Sequence, residues 1–129
     1  MAKDSILGTS KLVAFAPTTD PARARAFYEG VLGLRVVEAT PFALVFDANG
    51  TMLRVTPVRD HTPAAFTILG WDVESIETTV EQLTAAGVEF LRFPGLNDAG
   101  PRPIWNAPSG ARIAWFHDPD KNVLSLTQF

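Results

Sequence analysis

The residues of this 129-residue chain best suited to chemistry are two histidines, three tryptophans, one arginine in an apolar run and a few acids beside prolines and glycines. There is no cysteine, which removes thiol nucleophiles, disulfide scaffolds, iron–sulfur clusters and cysteine zinc sites. His61, in the polar stretch Arg59-Asp60-His61-Thr62-Pro63, reads as a solvated loop residue. His117 stands beside Asp118, a pair able to ligate an ion, but a residue so placed more often packs on its sheet next to a turn. Asp98, Asp118 and Asp120 read as turn residues, so no general base stands out. No G-x-S-x-G elbow and no phosphate-cradling glycine loop is present. Recognition is better served: of Trp71, Trp105 and Trp115, the Trp105 indole can stack on a flat ligand, and the Arg54 guanidinium offers a planar fork to a carboxylate or phosphate.

The elements that would position these groups come in two similar series. Leu12 to Ala16 is an apolar run ending at Pro17 and reads as a strand buried on both faces. Asp20-Pro21 opens a helix, with Asp as N-cap and Pro at the first helical position. Ala24, Phe27, Tyr28, Val31 and Leu32 line one face of it, which places Tyr28 in the core, and Gly33 closes it. Strands are expected over Leu34–Glu38, Phe42–Asp47 and Met52–Pro57, the last two joined by Asp47-Ala48-Asn49-Gly50. After the polar linker the order repeats. A strand is expected over Ala65–Val73, ending near Trp71 at a sheet edge. A helix opened by Ser75 and closed by Gly87 follows, then strands over Val88–Phe93, Ile113–His117 and Asn122–Thr127. The Gly- and Pro-rich stretch from Gly95 to Gly110 is long enough to suggest a functional or mobile loop.

Composition bounds the rest. Apolar residues make up 47% and charged residues 19%, enough core for one folded domain and too few charges for global disorder. A net charge of −3 gives a nucleic-acid partner no basic face. No apolar run reaches the roughly 20 residues of a membrane span, and Met1 to Ser10 lacks the apolar stretch of a leader, so the expectation is a cytoplasmic protein with no membrane partner.

The series as a whole, with Asp20-Pro21, Phe27-Tyr28, Val31-Leu32-Gly33-Leu34 and Asp118-Pro119-Asp120-Lys121-Asn122-Val123-Leu124, resembles the vicinal oxygen chelate superfamily. That group holds glyoxalase I, the bleomycin resistance proteins, fosfomycin resistance enzymes and extradiol dioxygenases. The resemblance covers about residues 10 to 129 and implies an α+β fold. Two βαβββ modules, about 10–58 and 64–129, would form a curved mixed sheet around a cleft, within one chain or across a homodimer. Lys121 departs from the family's usual glycine, which at positive φ costs about 1 kcal/mol.

The resemblance also implies where a divalent ion would sit, on the first and last strand of each module, held by His, Glu or Gln. In this chain those positions are Val13, Arg54, Thr67 (Ile68 with a shift of one) and Ser125. None is a usual ligand, and a guanidinium repels a dication, so no metal or other cofactor is expected. Strand alternation then places Val13, Phe15, Met52, Arg54, Thr67, Leu69 and Ser125 on the cleft side, with Trp115 sharing a face with Ile113 and His117. Trp105 either lids the cleft or anchors its loop in the core, and Arg54 either meets an anionic ligand or pairs with an acid or solvent. The expected ligand is an unidentified apolar or aromatic small molecule with an anionic or carbonyl group. Three functions compete: metal-independent binding without catalysis, which the ligand positions favour; a lyase, isomerase or dioxygenase-like enzyme with a relocated metal; and a module serving only dimerisation.

Overall fold

The structure is a computed structural model and describes residues 5–129; Met1 to Asp4, part of the segment read above for a leader, lie outside it. The first module contains β1 (Val13–Thr18), α1 (Pro21–Arg25, continued by a π-helical turn over Ala26–Val31), β2 (Arg35–Ala39), β3 (Leu44–Ala48) and β4 (Thr51–Pro57). The second contains β5 (Thr67–Asp72), α2 (Ile76–Ala85), a two-residue β6 (Trp105–Asn106), β7 (Arg112–His117) and β8 (Val123–Gln128). Each module is a four-stranded mixed sheet, in the orders β1-β4-β3-β2 and β5-β8-β7-β6, with its first strand parallel to its last. This is the modular βαβββ architecture. No described helix is long and apolar enough to cross a membrane.

Local chemistry sets the boundaries. Asp20 caps α1 through Arg23 N, with Pro21 next to it. Ser75 caps α2, and the Gln128 side chain takes up the Ile76 N–H. Asn49 and Gly50 both lie at positive φ (52° and 96°) between the paired Ala48 and Thr51, a two-residue hairpin turn matched to strand twist. Helix α1 widens after Arg25, where Leu32 N donates to Phe27 O five residues back, and Gly33 at φ 79° ends it.

Three expectations need correction. The first strand is an edge strand with one open face, so Val13 and Phe15 are exposed rather than buried on both sides. It also runs through Pro17 to Thr18, because an edge strand can spare the missing N–H. The expected strand over Val88–Phe93 is reduced to a single bridge, Phe90 to Phe116, and β6 takes the edge position beside β7.

One core serves both modules. Tyr28, Phe46, Leu53 and Val55 from the first join Ile76, Phe116, Leu124 and Leu126 from the second, and Phe27 reaches Phe116 at 6.4 Å between ring centroids. A polar tie lies beside this contact. The Tyr28 hydroxyl donates to Asp118 Oδ2 at 2.6 Å, and Asn122 Nδ2 donates to the same oxygen at 2.8 Å and to Pro17 O at 3.1 Å. Asp118 Oδ1 accepts the backbone N–H groups of Asp120 and Asn122. Thr19 donates its N–H and its hydroxyl to Asp120 Oδ1 at 2.8 and 2.9 Å. Both Asn122 amide hydrogens are used, so its Oδ1 accepts from His61 Nε2 at 2.8 Å. His61 is thus a half-buried tie between linker and turn rather than a solvated residue. Lys121 takes the left-handed conformation (φ 66°) that this turn requires.

Burial and the adjacent Asp118 carboxylate push the Tyr28 hydroxyl well above its ordinary range, so it stays a donor. Tyr28→Phe, by leaving a buried carboxylate short of a partner, is expected to cost roughly 1.5–3 kcal/mol in denaturant unfolding. Burial alone would raise the Asp120 carboxyl, but the polar contacts of Thr18 and Thr19 and the Arg23 guanidinium outweigh it and lower its pKa below 3.8. Its contribution to stability is therefore complete above that value and is lost as pH falls through the depressed one. Acid titration of the unfolding midpoint should show this loss in the parent and a shallower one in Asp120→Asn.

Candidate functional site

Alternation along the strands gives each sheet an open face turned away from the shared core. In the first sheet, Val13 pairs with Met52, Phe15 with Arg54 and Pro17 with Thr56, and these residues stand on the open side. Ala14, Ala16, Leu53 and Val55 face the core. Val45, opposite Arg54, is the buried floor of that face. Phe15 is 62% exposed. Arg54 forms no ion pair among the described residues, and its one close polar neighbour is Met52 Sδ at 4.0 Å from Nη1. Its guanidinium thus has no salt-bridge partner among them, and the acid in register with it on the same face is Glu38, across Val45. A groove of about 250 Å³ at the end of this face is lined by Val13, Val37, Val45 and Met52, with Lys11 and the Arg35–Asp47 ion pair.

The open face of the second sheet is aromatic. Trp105 pairs with Ile113 across β6 and β7, and its ring stacks on Trp115 at 6.1 Å with 29° between planes. Phe93 meets Trp115 edge-on at 5.3 Å. Trp105 is thus neither a free lid nor a core anchor but part of a strand-borne platform. Ser125 lies opposite Trp115 on one side and Gly70 on the other. A Cβ on Gly70 would come within 2.8 Å of Ser125 Oγ, so glycine there makes room for the hydroxyl.

A bulge between Thr67 and Leu69 alters one expected position. It sets Leu69 opposite Leu124 and Trp71 opposite Leu126, so both turn to the core side, and Gly70 takes the open-face place beside Ser125. A strict alternation from Thr67 would put Leu69 on the cleft side, and no sequence signal marks the bulge except the glycine itself. Phe93 was missed because its segment reads as an ordinary strand.

The long loop is held together by side-chain hydrogen bonds. Asn97 is 1% exposed and holds the loop with three hydrogen bonds: it accepts from Phe93 N at 2.7 Å and donates to Leu91 O and Pro103 O at 2.9 Å each. Arg92 Nη1 donates to Gly100 O at 2.9 Å and to Asn97 O at 3.2 Å. Arg102 and Arg112 meet Glu77 at 3.3 and 2.8 Å, fixing loop and strand against α2. The Arg112 hydrogen bond, with the charge of Arg102, lowers the Glu77 carboxyl.

The donor set does not fit a first-row metal ion. Val13 offers no donor atom, Thr67 and Ser125 only hydroxyls, and Arg54 a fixed cation, whichever faces meet. A relocated site at His117 and Asp118 fares no better. Both Asp118 oxygens are taken by Tyr28, Asn122 and backbone N–H groups, and His117 is held below its usual value by burial and then by Lys121. Asp120 Oδ2 is buried with no hydrogen-bond partner, but it is one oxygen with no converging donors.

The comparisons with known proteins agree with this fold. The family model "Glyoxalase/Bleomycin resistance protein/Dioxygenase superfamily" matches residues 11–126, and the chain belongs to that superfamily. Among solved structures, it is similar to a superfamily member from Sphaerobacter thermophilus DSM 20745 (22% identity, TM-score 0.71, 92% of this chain and 96% of that one). It is also similar to TioX from Micromonospora sp. ML1 (21%, 0.70, 92% and 98%) and to a lactoylglutathione lyase from Agrobacterium tumefaciens (16%, 0.70, 93% and 93%). No curated protein sequence matches the chain.

Asn97→Ala leaves three backbone groups without their partner and is expected to cost roughly 2–3 kcal/mol. Amide hydrogen exchange should then accelerate across residues 91–103 and leave β3 and β4 protected.

Proposed function

We propose that this protein binds a small apolar or aromatic molecule bearing an anionic group, without a metal ion and without chemical turnover. The observation that carries this reading is the set of side chains at the four strand positions, Val13, Arg54, Thr67 and Ser125, which offers an unpaired cation where a dication would have to sit. The Arg54 fork serves the anionic group, Phe15, Val13 and Met52 cover apolar surface, and the Trp105–Trp115 stack receives a flat ring.

The two faces lie on sheets that share their core sides within the chain, so a cleft between them calls for a second copy. The ligand then sits between the first sheet of one protomer and the second sheet of its partner in a homodimer. The exposure of Phe15, Val37 and Met52 (62%, 53% and 41%) fits a face covered in this way. A cytoplasmic location, with neither nucleic acid nor membrane as partner, goes with this reading. The likeness to a lactoylglutathione lyase favours a second one, a lyase, isomerase or dioxygenase-like enzyme with its metal elsewhere. The engagement of both Asp118 oxygens leaves that reading without a ligand set.

A native mass spectrum of the protein as purified tests both. A metal-free dimer carrying an extra organic mass is expected, and a stoichiometric divalent metal would overturn the reading. Arg54→Ala should weaken binding of the retained molecule roughly tenfold or more, since a charge-assisted hydrogen bond is lost.

A further inference from the structure

A second cavity, of about 340 Å³, opens on the other side of the molecule, between the π-helical turn, the end of α2 and the β7–β8 turn. Phe27, Val31 and Phe90 supply its apolar lining, and Glu89 and Lys121 line it as groups of opposite charge. Three irregularities of the backbone meet there. Phe27 and Val31 belong to the π-helical turn, a geometry that recurs at functional positions. The segment from Val88 to Leu91 is peeled from the sheet, touching β7 only at the Phe90–Phe116 bridge and through Leu91 N to Trp115 O. Lys121 holds the left-handed conformation that glycine adopts without strain. What lysine adds at that position is an ammonium group beside the cavity.

Neither Lys121 nor Glu89 forms an ion pair among the described residues. The bridge from Phe90 to Phe116 sets Glu89 across from His117, four residues before Lys121. The other two titratable groups of the lining have less to offer a ligand: Asp118 keeps its negative charge but has both oxygens taken by Tyr28, Asn122 and backbone N–H groups, and burial and then Lys121 lower the His117 pKa. We propose that this cavity is a binding site for a small hydrophobic zwitterion of the free amino acid class, carboxylate toward Lys121, ammonium toward Glu89, side chain on Phe27, Val31 and Phe90. It is separate from the open sheet faces and does not depend on what they bind.

The test is an NMR titration of the full chain with L-phenylalanine, following amides of Val31, Gly87, Phe90 and Lys121. Two probes each lack one charge: 3-phenylpropionate and 2-phenylethylamine. Saturable shifts confined to the cavity are expected with L-phenylalanine, and affinity roughly tenfold or more weaker for each probe. Lys121→Gly relieves the backbone strain, so it is expected to fold at least as well while weakening L-phenylalanine by a similar factor. Glu89→Gln should do the same while leaving 3-phenylpropionate unaffected. Absence of saturable shifts, equal affinity for all three probes, or a Lys121→Gly variant that binds like the parent would each overturn the proposal.

Discussion

The hydrogen bond from Tyr28 to Asp118 ties one module's helix to the other module's last turn, and much of the architecture follows from it. A carboxylate taken out of water must find partners, and Asp118 finds four: a hydroxyl, a side-chain amide and two backbone N–H groups. Two of the four shape the turn itself, and the Tyr28 hydroxyl comes from the opposite module. The turn's own bonds are local, and the Tyr28 hydroxyl couples the formed turn to the docking of the modules. Asp120 and Asn122 extend the tie to Thr19 and Pro17, at the end of β1, and His61 brings in the linker. The Asp-Pro-Asp turn and the Phe-Tyr pair are structural here, since they dock the two modules.

The two modules are not equal copies. In the first, β2 pairs along its length with β3 apart from one bulge. In the second, the corresponding segment lifts away and the loop over residues 91–103 folds upon itself around Asn97 and Arg92. The displaced edge is replaced by Trp105–Asn106, which brings Trp105 onto Trp115. One strand's worth of pairing is thus exchanged for an aromatic platform on the open side and a cavity on the other. The polar groups that pairing would have satisfied are taken up in part by the Asn97 amide, whose near-complete burial is otherwise hard to account for.

Much of the fold was legible because its signals are local. Asp20-Pro21, Asn49-Gly50, Ser75 and the glycines after each helix act through nearby backbone groups, and each marks the element it was read to mark. The helix side was legible from alternation, as Leu53, Val55, Leu124 and Leu126 show. What failed depended on distant partners. Val88–Phe93 has a strand pattern, but its end is held instead by the loop that follows, Arg92 bonding Gly100 O and Phe93 N bonding Asn97, and that loop has no periodic signature. Leu69 was misplaced by a bulge, since one unpaired residue inverts every side chain beyond it. His61 looked like solvent-facing polarity, and only the docked turn gives it a partner.

The open faces carry the same logic into function. Val13 and Arg54 keep the alternation that makes them face outward. An arginine on a sheet face next to Phe15 and above buried Val45 is costly to desolvate unless an anion meets it. An acid in contact would have neutralised it, as Glu77 does for Arg112, but among the described residues Arg54 has no salt bridge, and Glu38, the acid in register on that face, stands two strands away across Val45. Covering that face with an apolar partner surface alone would bury an unpaired charge. Covering it with a second copy that encloses an anionic ligand would pair the charge and bury Phe15 in the same step. The physical cost of Arg54 is thus the reason for reading dimer and ligand together rather than as separate properties.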